Sequence, residues 1–395
     1  MKKILVLLIL LLVIGSNSAL AEPKFVAEIY DYVDTADNDL QTQISALSSL
    51  WLQNGSDIYY NVGNVGIGTK EPGAKLDVEV TSGGAATIGN SGNSATGDFA
   101  IAMGHNTIAS GDYSIAMGNN SIASGPYSTA IGFNTIASDH ATTAMGTGTT
   151  ASEHASTAMG LNTVASGWAS TAMGKHTTAS GRSSTAMGTG TTASGTASTA
   201  MGTGTTATDW SSTAMGYGAI ASGFSSTAMG KGTTASEWYS TAMGAGTIAS
   251  GYSSTAMGYN TTASGKYSTA MGNTTIASGY SSTAIGSRTT ASGKYSTAMG
   301  RGIEAAGLYS IAIALNDQTG TIVTQNNTMT IMGGNVGIGT TTPMKTLEIS
   351  SVMLLTPTDT PGTCIEGSVY YDASLHEPCF CNGTNWKQFD NGGNC

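Results

Sequence analysis

Between about Phe99 and Ala314 the apolar, small and hydroxylated positions return on a strict period. The glycines Gly104, Gly118, Gly132 and Gly146, and onward through Gly286 to Gly300, stand fourteen residues apart. Around each, the text S-T-A-M-G-x-x-T-x-A-S-G-x-x is nearly constant, as in Ser156 to Ala169. A fixed period of this kind is the mark of a stacked solenoid. Fourteen residues are too few for a helical hairpin, and a filling of Thr, Ser, Gly and Ala is poor helix material. The pattern predicts two short strands per period, for example Ser156 to Gly160 and Thr163 to Ser166. Each ends on a turn signal. The Asn162 position is occupied elsewhere by Gly148, Gly190 or Gly204, residues that accept positive φ. Gly167 is replaced by Asp139, Glu153, Asp209 or Glu237 in other coils. Strand, turn, strand, turn makes one flattened coil, and successive coils pair in parallel about 4.8 Å apart.

What varies inside the repeat predicts which way each column points. Ala158 and Ala165 recur as alanine from coil to coil, whereas Ile108, Thr150, Val164, Thr178 and Glu304 share one column. Side chains alternate faces along a strand. The alanines therefore line a thin lumen, and the tolerant column faces water. Met145, Met159, Met173, Met187, Met201 and Met215 belong to a large apolar column on the face opposite the alanines. Exposed in a single chain, such a stripe marks an interface. The expectation is a homotrimer whose three methionine columns meet on a common axis. The competing arrangement puts the methionines inside each coil.

These repeats resemble the heads of trimeric autotransporter adhesins, the YadA-like heads, whose usual text is S-V-A-I-G-x-x-S. The resemblance covers more than half of the chain. It implies a left-handed parallel β-roll, trimeric, displayed outside a bacterial cell and used for attachment.

The flanking segments divide the chain further. Residues 1–21 read as a secretory signal peptide: Lys2 and Lys3, an apolar run from Ile4 to Ile14, and Ala19-Leu20-Ala21 before Glu22. After cleavage no later stretch is long and apolar enough to be a transmembrane segment. Residues 22–53 form a linker and a short coiled-coil-like helix, with Leu40, Ile44, Leu47 and Trp51 on an a/d seam. The same spacing also suits one amphipathic helix packed on its own chain. Residues 54–82 hold Asn64-Val65-Gly66-Ile67-Gly68-Thr69, and its near copy Asn335-Val336-Gly337-Ile338-Gly339-Thr340 lies in 316–350. Copies on both sides of the 83–315 repeats read as modules that seal the open ends of the roll. Trp51 to Thr69 is also similar to segments of phage tail-fibre-like and secreted adhesin-like proteins. Residues 351–395 carry all four cysteines, Cys364, Cys379, Cys381 and Cys395. In an exported chain these predict two disulfides with three connectivities open. The membrane anchor and stalk that the adhesin family would place here are missing from the pattern.

Composition narrows the function. A formal net charge of −10, with only 10% charged residues and 54 glycines, suits an extracellular repeat protein. Without Lys and Arg clusters it argues against nucleic acid. No catalytic constellation is visible, so the chain does not read as an enzyme and no cofactor is expected. Asp139-His140 and Glu153-His154 stack one coil apart, but solvated turns explain them more simply than a metal does. The second turn carries nearly one aromatic per coil. Trp168, Trp210, Phe224, Trp238, Tyr252 and Tyr280 are the candidate contact residues for an extracellular protein or glycan surface. The same rings suit packing on one another or on a neighbouring protomer. The expected function is a secreted or surface-displayed adhesin. The alternative is an ice-binding or purely structural β-solenoid, since Thr150, Thr178, Thr192, Thr206 and Thr234 share a column that Ile136, Val164, Ile220 and Ile248 interrupt.

Overall fold

The computed structural model describes residues 84–89, 92–350, 363–390 and 392–395, the single residues 38, 42 and 355, and the strand backbones of 59–61, 64–67, 76–78 and 357–358. The signal peptide and the Leu40 to Trp51 seam lie outside the described residues. The chain divides into two units, Met1–Ala165 and Ser166–Cys395, each described by itself.

In the first unit each coil pairs a five-residue strand and a two-residue strand with their equivalents one period on. Thr129–Phe133 runs parallel to Thr143–Thr147, with Ala130 opposite Ala144 and Ile131 opposite Met145. Ile136–Ala137 pairs in the same way with Thr150–Ala151. The second unit repeats this from Thr171–Lys175 and Thr178–Ala179 onward, and Thr199–Thr203 pairs with Thr213–Tyr217 in the same register. The fold is therefore an all-β parallel solenoid with a fourteen-residue repeat.

Four inward columns build each lumen. The alanines of both strands are fully buried, Ala200 and Ala207 among them. So are Ser198 and Thr205, two residues before each alanine, and their equivalents in other coils. Strand alternation requires this: if Ala200 points inward, Ser198 does as well. The thinness of the lumen follows from the small volumes of these side chains.

Two turns close each coil, and both use the left-handed region. At the first turn it is occupied by Asn162 (φ 52°) or Gly204 (φ 62°). At the second it is occupied by alanine, serine or tyrosine, as in Ala155 (φ 55°), Ser183 (φ 55°) and Tyr267 (φ 59°). Such a conformation costs an L-residue about 1–2 kcal/mol. A bond between coils offsets it: the Ser183 N–H donates to Trp168 O at 2.7 Å, and the Tyr267 N–H to Tyr252 O at 2.8 Å.

The ladder runs past residue 315. Ile311–Val323 is a 13-residue strand on which Met329–Met332 pairs, matching Ile311 to Met329 instead of to a residue fourteen on. Asp317, in this longer return, binds Arg301 at 3.0 Å and Arg288 at 3.3 Å. The Thr319 hydroxyl, with the two guanidiniums, holds its carboxyl below the usual carboxylate range.

Each copy of the Asn-Val-Gly-Ile-Gly-Thr text forms a small parallel pair of its own. Val65 lies opposite Leu76 in one, and Val336 opposite Leu347 in the other. The tail is a four-stranded sheet in which Val369–Asp372, Glu377–Cys381 and Trp386–Gln388 form an antiparallel meander. Tyr370, Cys379, Cys381 and Trp386 make its core. Disulfides Cys364–Cys381 and Cys379–Cys395 resolve the three open connectivities.

Candidate binding surfaces

The methionine column stands outside the coil. In the second unit Met187 pairs with Met201 and Met201 with Met215, while Ala186, Ala200 and Ala214 beside them are fully buried. Met173 enters the same column through its pairing with Met187. In the first unit Met145 pairs with Met159, and Met145 is 38% exposed. The arrangement with methionines filling each chain's own interior is therefore not the one adopted. Beside this column runs the glycine column, whose φ lies near +120°. A Cβ on Gly202 would sit 2.0 Å from Gly216 O. The resulting strip has bulky thioethers next to bare backbone.

The aromatic edge is a ladder. In the second unit its centroid steps run Trp210–Phe224 6.4 Å, Phe224–Trp238 5.4 Å, Tyr239–Tyr252 5.8 Å, Tyr252–Tyr267 5.6 Å and Tyr267–Tyr280 5.6 Å. It continues through Tyr295 to Tyr309. The rings alternate between the left-handed turn residue (Tyr239, Tyr267, Tyr295) and the residue before it (Tyr252, Tyr280), so successive rings meet at 77–83°. Edge-to-face contact is the favourable quadrupole geometry. Packing on one another is thus realised within one chain. It still leaves Trp210 59% and Trp238 53% exposed.

Five of the six candidate rings belong to this ladder, and the sixth, Trp168, lies beneath the guanidinium of Arg182, 4.7 Å from the ring centroid. Lys294 lies 5.3 Å from the rings of both Tyr280 and Tyr295. These cations were not singled out in the sequence, although they occupy the same turn column as the aromatics.

In the first unit Phe99, Tyr113 and Tyr127 stack at 5.0 and 5.1 Å, followed by His140 and by His154 stacked on it at 5.0 Å. Asp139 uses its carboxylate to accept the His140 N–H at 2.6 Å. Among the described residues no group of three or more His, Cys, Asp or Glu side chains is placed to hold a metal ion.

In the tail Asp372 is nearly sealed from solvent. Its carboxylate accepts from the Leu375 N–H, the Ser374 hydroxyl and the Tyr370 hydroxyl, which hold its carboxyl far below the usual range.

The family described as YadA head domain repeat (2 copies) matches residues 95–121, 123–149 and further overlapping windows to 277–302, more than half of the chain. The chain belongs to the YadA head-repeat family. No curated protein matches it. YadA-like heads are structural parts of adhesins of the trimeric autotransporter type, trimeric in general and displayed at the cell surface, and they are not an enzyme family. The two disulfides of this member suit an extracellular setting. Among the described residues no helix is long and apolar enough to cross a membrane.

Proposed function

We propose that the chain is a secreted or surface-displayed homotrimeric adhesin. Three copies join along the column of Met145 to Met215, and the aromatic edge of Trp168, Trp210, Phe224, Trp238, Tyr252 and Tyr280 touches extracellular protein or glycan. The copies of the Asn-Val-Gly-Ile-Gly-Thr text seal the ends of the roll. The observation that carries the reading is the register-aligned, half-exposed methionine column lying on a glycine-flattened strip, a surface that a lone chain would leave in water. Side-chain area of this kind is worth about 25 cal/mol per Å² removed from solvent.

Analytical ultracentrifugation of the mature chain tests the assembly. A trimer that Met201→Asp with Met215→Asp converts to monomer is expected. A monomeric wild type, or a variant that sediments unchanged, refutes the methionine axis. Attachment to immobilised matrix proteins and glycans tests the edge, with Trp238→Ala and Tyr252→Ala expected to weaken it. The ice-binding reading draws on the register-aligned Thr178, Thr192 and Thr206. Thermal hysteresis in an osmometer would favour it over attachment.

A further inference from the structure

The aromatic ladder of the second unit is broken at one place. Above Trp168 the next turn presents Arg182, the one after it Thr196 and Ala197, and the one after that Trp210. The guanidinium carbon of Arg182 lies over the Trp168 ring, 4.7 Å from its centroid, so the indole covers one side of the cation. From the far side Trp210 brings the most exposed ring among the candidate aromatics. Two bonds fix the levels: the Ala197 N–H donates to Arg182 O at 2.7 Å, and the Ser211 N–H to Thr196 O at 2.9 Å. Arg182 and Trp210 are therefore two coil steps apart, about 9–10 Å, with only a threonine and an alanine side chain between them.

We infer that this gap is a binding slot for a single pyranose ring bearing a carboxylate, a sialic or uronic acid unit of an extracellular glycan. This rests on the proposed adhesin function and assigns its ligand. The walls select the class. Trp210 offers a flat apolar face to the C–H side of a sugar ring, while exposed Ser183 and Ser211 and half-buried Thr196 supply hydroxyls for the ring's own hydroxyls. Arg182 makes no ion pair among the described residues, so its in-plane N–H groups are available for two parallel bonds to a carboxylate. Asp209, next to Trp210, is oriented by the Trp210 N–H at 2.7 Å. It disfavours a multiply charged sulfated sugar more than a single carboxylate. A flat aromatic side chain would extend the ladder but would leave the guanidinium's hydrogen-bonding edge unused.

The test titrates the full mature chain with sialyllactose and with a galacturonate trisaccharide, each against its neutral counterpart, and follows Trp fluorescence and saturation-transfer signals. Binding of either acidic sugar, at least about tenfold tighter than the neutral one, is expected. Whichever binds identifies the source of the carboxylate. Thr196→Tyr, which fills the gap with a ring, should abolish it. Arg182→Gln should erase the preference for the acidic sugar. Should Thr196→Tyr fail to fold, judged by circular dichroism, Trp210→Ala replaces it with the same expected loss. Equal affinity for neutral and acidic sugars, no binding of either acid, or full binding by Thr196→Tyr overturns the slot. The outcome is separable from the adhesin reading. Surface attachment that falls in Trp238→Ala but not in Thr196→Tyr leaves adhesion standing without the slot, and sugar binding without any surface attachment does the reverse.

Discussion

Two glycines of one coil, Gly202 and Gly204, give a controlled measure of how tightly the coils are stacked. Both have positive φ, +122° and +62°, so an alanine is strained at either position. Their surroundings differ. A Cβ on Gly202 would meet Gly216 O at 2.0 Å and Gly216 C at 2.9 Å, whereas one on Gly204 meets nothing within 4 Å. Ordinary carbon contacts lie at about 3.5–4.0 Å, so Gly202→Ala must push two coils apart by about 1 Å or more, against the backbone bonds that hold them. Strain of about 1–3 kcal/mol, overpacking of a similar size and one or two weakened ladder bonds add to about 3–6 kcal/mol. Gly204→Ala carries only the left-handed penalty, about 1–2 kcal/mol. Chemical denaturation followed by far-UV circular dichroism compares the two. A stacked array does not unfold as one cooperative unit, so hydrogen exchange should also be read locally. Protection should fall around the Gly202 and Gly216 coils in the first variant and stay unchanged in the second. Equal losses in the two variants would refute the close-approach explanation and leave only backbone strain.

Other expectations follow from the interior and the tail. Thr205 is fully buried and its hydroxyl has no hydrogen-bond partner among the described atoms. Thr205→Val, nearly isosteric, should therefore raise stability by about 1–2 kcal/mol in the same denaturation assay. Reducing Cys364–Cys381 and Cys379–Cys395 should cost the tail sheet about 2–4 kcal/mol per bridge. Limited proteolysis should then cut after residue 351 while the repeat region keeps its β signal. Asp372 has a folded pKa below its unfolded one, so its contribution is complete above about pH 4, the ordinary carboxylate value, and is lost as pH falls from there toward the folded pKa. Near-UV circular dichroism of Tyr370 and Trp386 should hold from pH 7 to about 4 and decline below, and Asp372→Asn should flatten that dependence.

The period, the parallel pairing and the inward alanines were legible because a column that tolerates only alanine announces a narrow interior. The inward Ser198 and Thr205 columns follow from the same alternation and needed no further signal, yet a rule that looks for apolar cores passes over hydroxyls. Gly202 illustrates a different limit. Its recurrence is plain in the text, but the reason for it lies in the carbonyl of the neighbouring coil, which no local spacing shows. Tyr267 and Ala155 adopt φ near +55° without any residue that advertises it, because an intercoil N–H bond stabilises the conformation. Packing of the rings on one another was among the readings the sequence left open, but its edge-to-face geometry was not legible, because it comes from rings that alternate between two adjacent positions. The cysteine pairing needed the meander that brings Cys381 to Cys364 and Cys379 to Cys395.

The physical division within each coil explains where specificity can be written. Apart from Ile303 at the end of the array, the fully buried lumen positions of the coils hold only alanine, serine and threonine, and the glycine column is held to backbone, because each meets its own copy one step away. At the glycine column even a Cβ collides with the carbonyl of the next level, and the collision recurs wherever the change is repeated. The second turn faces no such copy on its outer side, so it accepts Trp, Arg, Thr, Phe, Lys and Tyr without disturbing the stack. Charge has accordingly diverged along it. In the first unit this turn carries Asp98, Asp112, Asp139 and Glu153 and no Lys or Arg, whereas in the second Arg182, Lys266 and Lys294 stand against Asp209 and Glu237. Exposed charges separated by more than about 10 Å are screened from one another at moderate salt. Each stretch of the edge therefore presents its own potential to a ligand, whatever the net charge of −10 on the whole chain. The proposed anionic glycan would meet interleaved rings and cations at the second unit's turn and carboxylates without any Lys or Arg at the first unit's. One repeated coil can in this way offer chemically distinct contact sites at its second turn, at no cost to the interior that holds it together.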